Sequence, residues 1–446
     1  MSLFERAHTS AAAVASAAAI FLAASAPAHA QDHEVASADS VSTPGTAVNS
    51  VDRCPANFFS TDVAATEKNR SDRAGAQSAS IDAKTAAHQN GSVRMATINA
   101  QLVASEEGEL IAQLENGEDE RAKRLAATLQ TQRPKVVALT GFDYDEAEEA
   151  LKLFQERYLA EPQDSTDPIQ YRYTFVAPVN AGVDSGSDLN HDGTVGGPED
   201  AFGHGKFPGQ GGMVLLSQLP IKESQIRTFT KFKWEDMPNN HLSETKFTSI
   251  ERKVMPLMSR SLWEIPVVSG RDTISLVVTH FSVAQDLGEE QAEQGRRLDQ
   301  LQFLDDFLSG GDQADYIVDD EGRSGGIASN RQYVVLGQLN ADPTDDKSQR
   351  DFLRQHAAPG QFTSEGANTF FRSSSDYNST AITDLRPQKT QGERLNYVLA
   401  KRGTTSVVDA GVFWPNPAAE EAVFLPEPDA AGITYRLVWA DLSLRN

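Results

Sequence analysis

One stretch of this chain carries oxygen ligands at the spacing a hard cation needs: Asp188-Leu-Asn-His-Asp-Gly-Thr-Val-Gly-Gly-Pro-Glu199. Asp188, Asn190 and Asp192 occupy alternate positions, so their side-chain oxygens can converge on one point. Gly193 permits a sharp turn, Thr194 offers its backbone carbonyl, and Glu199 at the twelfth position can close the set bidentately. Three carboxylates around one centre supply the negative charge that Ca²⁺ requires. Helices of sufficient length do not flank the loop, so the spacing points to a calcium-clamped loop with a structural role and not to a paired helical sensor.

That loop must be held by ordinary secondary structure, and the apolar pattern supplies it. Val93–Asn99 alternates like a half-buried strand, and Val136–Leu139 reads as a short buried one. Tyr171–Ala177, Gly212–Ser217, Thr273–His280, Tyr333–Leu336, Leu395–Leu399 and Tyr435–Ala440 read as further strands. Glu109–Gln130 is helical in composition with a break at Asn116-Gly117. Asp145–Leu159 places Ala147, Leu151, Phe154 and Tyr158 on one helical face, and Glu289–Leu308 turns Leu301, Leu304 and Leu308 inward. Many strands and few helices predict an α+β protein in which two β-sheets pack face to face with helices outside. No internal repeat is present.

The 446 residues suffice for one large domain or two smaller ones. A net charge of −23 repels phosphate backbones, so non-specific nucleic-acid binding is not expected. Residues 1–30 read as an export signal: Arg6, a largely apolar run from Ala11 to Ala24, and a small-residue cleavage site at Ala28-His-Ala30. Residues 31–90 form a low-complexity arm rich in Ala, Ser, Thr, Asp and Asn. No later run approaches the ~20 apolar residues of a membrane span. Cys54, the single cysteine, cannot form an internal disulfide.

Four segments, taken in order, add a chemical expectation: Val93-Arg-Met-Ala-Thr-Ile-Asn99, Val136-Val-Ala-Leu-Thr-Gly141, Tyr333-Val-Val-Leu-Gly-Gln-Leu-Asn-Ala-Asp342 and Ile433-Thr-Tyr-Arg-Leu-Val-Trp439. With Phe207-Pro-Gly-Gln-Gly-Gly-Met213, Trp263-Glu-Ile-Pro-Val267 and Val407-Val-Asp-Ala-Gly-Val-Phe-Trp-Pro415 they resemble the endonuclease/exonuclease/phosphatase superfamily, and most closely its exported bacterial branch. The resemblance covers residues 91–446 and implies a four-layer αββα, DNase-I-like sandwich with the calcium loop as an insertion near 184–212. It also implies phosphoester hydrolysis, in which a divalent cation neutralises the phosphoryl oxygens and a base orients water.

The residues that would carry this chemistry are mostly replaced. By the resemblance, a metal-ligating Asn is kept as Asn99, a phosphate-contacting His as His280, and the Asn of a Gly-Asp-x-Asn turn as Asn340. Where active relatives carry a ligating Glu this chain has Gly141; Gln338 stands for the Asp of that turn, Thr434-Tyr435 for a terminal Asp-His pair, and Asn396 for a further Asp. The residual pocket of Asn99, His280 and Asn340 is neutral, and Tyr435 is a poor base at neutral pH. Three readings follow. The first is a degenerate member acting as a binding or structural protein. The second is a divergent Mg²⁺-dependent phosphoesterase that recruits Asp143 or Asp342. The third is a calcium-stabilised module whose acidic surface meets a basic partner.

Overall fold

The computed structural model describes residues 92–163, 166–281, 290–343, 346–360, 381–384, 391–414 and 434–444. The proposed signal segment, the arm and Cys54 lie outside them. In chain order the strands are β1 (Val93–Leu102), β2 (Val136–Phe142), β3 (Tyr173–Phe175), β4 (Gly212–Ser217), β5 (Arg227–Thr228), β6 (Leu262–Ser269), β7 (Asp272–His280) and β8 (Gln332–Gln338). They continue as β9 (Ala381–Asp384), β10 (Gln391–Glu393), β11 (Asn396–Ala400), β12 (Thr405–Val412), β13 (Thr434–Tyr435) and β14 (Val438–Leu444). The helices are α1 (Glu109–Leu114), α2 (Glu120–Gln132), α3 (Glu149–Phe154), α4 (Glu251–Val254), α5 (Glu290–Ser309) and α6 (Lys347–His356).

Two mixed sheets result, ordered β12-β14-β1-β2-β4-β3 and β11-β8-β7-β6-β5, beside a small sheet β10-β9-β13. The period of two along each strand decides which side chains meet. Met95, Val136, Ala138, Met213 and Leu215 face Trp263, Ile274, Leu276, Val278, Val334 and Leu336 between the two sheets. The intervening residues of the first sheet, among them Ile98, Leu102, Val137 and Leu139, pack under Leu110, Leu125, Leu129, Leu151 and Phe154 of the helices. Val277, Tyr333 and Val335 of the second sheet lie against Phe303, Leu304 and Phe307 of α5. The expected four layers, helix–sheet–sheet–helix, are therefore present.

Local signals fix several boundaries. The chain breaks at Asn116-Gly117, where Gly117 has φ +75°, and α2 starts anew with Asp119 accepting the N–H groups of Arg121 and Ala122. The helix expected from Asp145 starts later, because the Asp145 carboxylate is used to accept the N–H groups of Glu149 and Ala150 (2.8 and 3.1 Å). Ala147 consequently lies outside the helix and is exposed. From Gln155 to Leu159 the chain continues as a wider π turn. The strand expected over Tyr435–Ala440 is split: Thr434 and Tyr435 pair with β9, whereas Val438 onward pairs with β1. The helix α6 follows no apolar run read from the sequence; it packs through Phe352 and is capped by Asp346.

The β1–β14 seam of the first sheet is locked by charge. Arg94 and Asp441 face each other in register on β1 and β14 and form a bidentate pair, Nε–Oδ1 2.8 Å and Nη2–Oδ2 2.7 Å, with both side chains almost fully buried. The guanidinium also lies 4.0 Å from the centre of the Trp439 ring and donates to Gln132 O. Removing one partner strands the other charge in the interior. Arg94→Met is expected to cost about 3–5 kcal/mol, read as a lower urea midpoint, with Arg94→Met/Asp441→Leu recovering part of the loss.

Candidate functional site

Parallel pairing makes β1 with β2, and β7 with β8, end at the same side of the sandwich. The inward-facing row that is apolar within the core becomes polar there: Met95 is followed by Thr97 and Asn99, Ala138 by Thr140, Val278 by His280, and Leu336 by Gln338 and Asn340. Asn396 on β11 stands opposite Gln338 in register and is fully buried. Seven polar positions from both sheets thus gather at one mouth.

A chain of amides closes that mouth. Asn99 donates Nδ2–H to Gln338 Oε1 across the two sheets (3.0 Å), and Thr140 Oγ1 approaches the same oxygen at 3.4 Å. Gln338 Nε2 donates to Asn340 Oδ1 (2.6 Å), and Asn340 Nδ2 donates to the carbonyl of Phe281 (2.7 Å). Gln338, 1% exposed, uses both ends of its amide. Asn340 reaches this position with φ +51°, a left-handed conformation that Asn tolerates better than most residues. The sequence pointed to Asn99, Gln338 and Asn340. It did not point to Thr140, one residue before Gly141, or to the Phe281 carbonyl; alternation along β2 was the available signal for the former.

The position of Gly141 is set by a bulge. Between the pairs Asn99–Thr140 and Leu102–Phe142, β1 holds one residue more than β2. Gln101 turns to φ +54° and its N–H is accepted by Asn99 Oδ1 (3.1 Å), while Gly141 opposite sits at φ +63°. A Cβ at Gly141 would lie 2.2 Å from Asn99 Oδ1. The Asn99 amide therefore fills the space that a side chain at residue 141 needs.

His280 is buried, its Nδ1 has no hydrogen-bond partner among the described residues, and burial together with the nearby Arg260 guanidinium holds the imidazole well below its ordinary range. It is neutral at pH 7. Thr434 and Tyr435 are also buried, on β13; the Thr434 hydroxyl has no partner among the described residues, and Tyr435 packs against Leu395. Arg436 beside them stacks over Trp414 at 4.7 Å, and burial lowers its guanidinium to about 9.

The flanking acids serve the backbone. Asp143 accepts N–H groups from Ala104 and Gly211, both at 2.7 Å, and burial pushes its carboxyl up to about 6. Asp342 Oδ2 accepts the N–H of Arg394 at 2.7 Å. Among the described residues the donors that line the mouth are amides, hydroxyls and a neutral imidazole. They do not fit Mg²⁺, which is held by carboxylates, waters and phosphate oxygens.

The sequence signature of the endonuclease/exonuclease/phosphatase family spans residues 97–428. The chain belongs to the endonuclease/exonuclease/phosphatase family. Solved structures similar to it include a member of that family from Beutenbergia cavernae (16% identity, covering 79% of this chain and 72% of that one, TM-score 0.43). Another is sphingomyelinase C from Streptomyces griseocarneus (18% identity, 78% and 99%, TM-score 0.42). A third is a family protein from Leptotrichia buccalis (11% identity, 78% and 99%, TM-score 0.42). No curated protein matches the chain.

Within this endonuclease/exonuclease/phosphatase scaffold the 188–199 loop is closed on itself. Asp188 accepts the N–H groups of Asp192 (3.0 Å) and Gly193 (2.8 Å), with Gly193 at φ +91°. Asn190 Oδ1 also accepts from Asp192 N, Asn190 Nδ2 donates to Asp192 Oδ2, and Asp192 Oδ1 accepts from Thr194 N. Glu199 Oε1 stands 3.6 Å from His204 Nε2. The loop is organised instead by Asp200, a residue the spacing did not single out, which accepts from Leu189, Gly196 and Gly197. Among the described residues no three His, Cys, Asp or Glu side chains are grouped to hold a metal ion. The five donors as they stand do not make the closed set that their spacing predicts.

An acid placed at residue 141 meets the geometry just described. Gly141→Glu is expected to destabilise the fold by about 1–3 kcal/mol, since it places a side chain in left-handed backbone against Asn99. An unchanged urea midpoint would show that Asn99 moves aside freely.

Proposed function

We propose that this is an exported protein of the endonuclease/exonuclease/phosphatase fold that has lost phosphoester hydrolysis and acts by binding or as a structural component. The observation that carries this reading is the uncharged chain Asn99–Gln338–Asn340–Phe281 O, which occupies the mouth where active relatives place their metal-binding acids. Among the described residues the mouth offers a divalent cation no anionic side chain as counter-charge, and the neutral His280 supplies none. The alternative of a divergent phosphoesterase requires relocated ligands, but Asp143 and Asp342 are each engaged by main-chain N–H groups. Export rests on the apolar run Ala11–Ala24 and the Ala28-His-Ala30 site.

The test uses chain recovered from the medium of an expressing culture, with a start at Gln31 verified by intact mass. Assayed with Mg²⁺ or Mn²⁺ against a phosphate monoester, a phosphodiester and plasmid DNA, it is expected to show no metal-dependent turnover. Turnover that collapses in Asn99→Ala/His280→Ala would overturn the reading in favour of the enzyme.

A second reading concerns the 188–199 loop, where Asp188, Asn190 and Asp192 stand at alternate positions and Gly193 makes the predicted turn. Ca²⁺ that draws Glu199 from His204 would clamp this insertion as a structural element. On this reading the melting temperature rises with Ca²⁺, by the equivalent of about 2.7 kcal/mol at a hundredfold excess over Kd. Asp188→Ala/Asp192→Ala abolishes the rise, whereas a flat Ca²⁺ response of the unmodified chain leaves the loop self-bonded.

A further inference from the structure

Away from the mouth, the edge of the larger sheet carries an open groove of about 780 Å³ between α3, the π turn that follows it, and the segment leading into β3. Its apolar lining comes from Leu151, Ile169 and Ala160, and Arg172 and Thr174 line it from the strand side. β3 is the last strand of its sheet, and no described strand pairs with its outer side. Such an edge offers main-chain N–H and C=O groups to an added strand. The π turn widens the helix where it faces the groove and places Gln155 and Glu156 there.

The charge on the rim decides what fits. Glu146, Glu148 and Glu156 line the groove, all three are exposed, and none has a cationic partner within ion-pair distance among the described residues. The two cations of the lining are otherwise placed: Lys152 lies 3.3 Å from Glu149, and Arg172 stands over the Tyr173 ring at 5.9 Å. A second copy of this chain carries the same whole-chain net charge of −23 and the same three glutamates at this edge, which opposes self-association here.

We propose that this groove docks a short, extended, cationic peptide segment of another protein, which adds as a strand beside β3 and places basic side chains against Glu146, Glu148 and Glu156. Main-chain pairing supplies the affinity and the three glutamates the selectivity. The activity or inactivity of the mouth has no bearing on this surface.

The probe is a fluorescein-labelled nonapeptide of alternating Lys and Val, titrated with the full chain and read by anisotropy. Three comparisons accompany it: the same peptide N-methylated at alternate residues, a Glu/Val counterpart, and the variant Glu146→Lys/Glu148→Lys/Glu156→Lys. The exposed positions of the three glutamates leave the fold intact, which circular dichroism checks. The Lys/Val peptide is expected to bind the unmodified chain, to lose tenfold or more in affinity for the triple variant, and to lose binding when N-methylated; the Glu/Val peptide is expected not to bind. Equal affinity for the triple variant places the peptide elsewhere on this acidic protein and overturns the proposal. Undiminished binding of the N-methylated peptide overturns strand addition, and no binding of the Lys/Val peptide overturns the proposal as a whole.

Discussion

The Asn99–Gln338 hydrogen bond joins two sheets at the point where their shared apolar packing ends. Beyond Leu336 and Ala138 the inward-facing side chains Thr140, Gln338 and Asn340 are buried or half-buried polar groups that bond to one another or to their neighbours. Net, a neutral hydrogen bond contributes only about 1 kcal/mol, but a buried donor left without an acceptor costs about 1–3 kcal/mol. Amides answer this constraint with matched donors and acceptors in series. Carboxylates at the same positions would repel one another and would need a cation between them. The mouth of this chain is therefore closed by its own side chains.

The remaining features of the site support that closure. The bulge in β1 aims Asn99 across the gap and ties its oxygen to Gln101. Asp143 fastens the ends of β1 and β2 to the loop before β4 by accepting from Ala104 and Gly211. On the opposite seam the buried Arg94–Asp441 pair holds β14 in register with β1. Buried charge in this part of the protein is spent on backbone geometry and on strand register.

Much of the architecture was legible from periodicity alone. Alternation along Val93–Asn99, the exact bounds of Gly212–Ser217 and the break at Asn116-Gly117 all reappear in the structure, and the layers follow from them. The split after Tyr435 was not legible, because Arg436 and Leu437 continue the polar–apolar alternation and only the partner strand β9 draws Thr434 and Tyr435 away. The π turn after Phe154 keeps helical composition and leaves no mark in spacing. At the site, the motif positions identified which residues share the mouth but not how they bond: that Gln338 links Asn99 to Asn340 depends on distances across sheets more than two hundred residues apart in sequence. The 188–199 loop shows the converse, since its ligand spacing is plain while its carboxylates bond to their own backbone.

The bulge opposite Gly141 ties three residues into one adjustment. With Gln101 and Gly141 both turned and Asn99 lying over the glycine, a side chain at residue 141 meets the Asn99 amide and a left-handed backbone together. The backbone thus acts as an interlock: admitting a side chain there requires that Asn99, Gln101 and residue 141 move in concert.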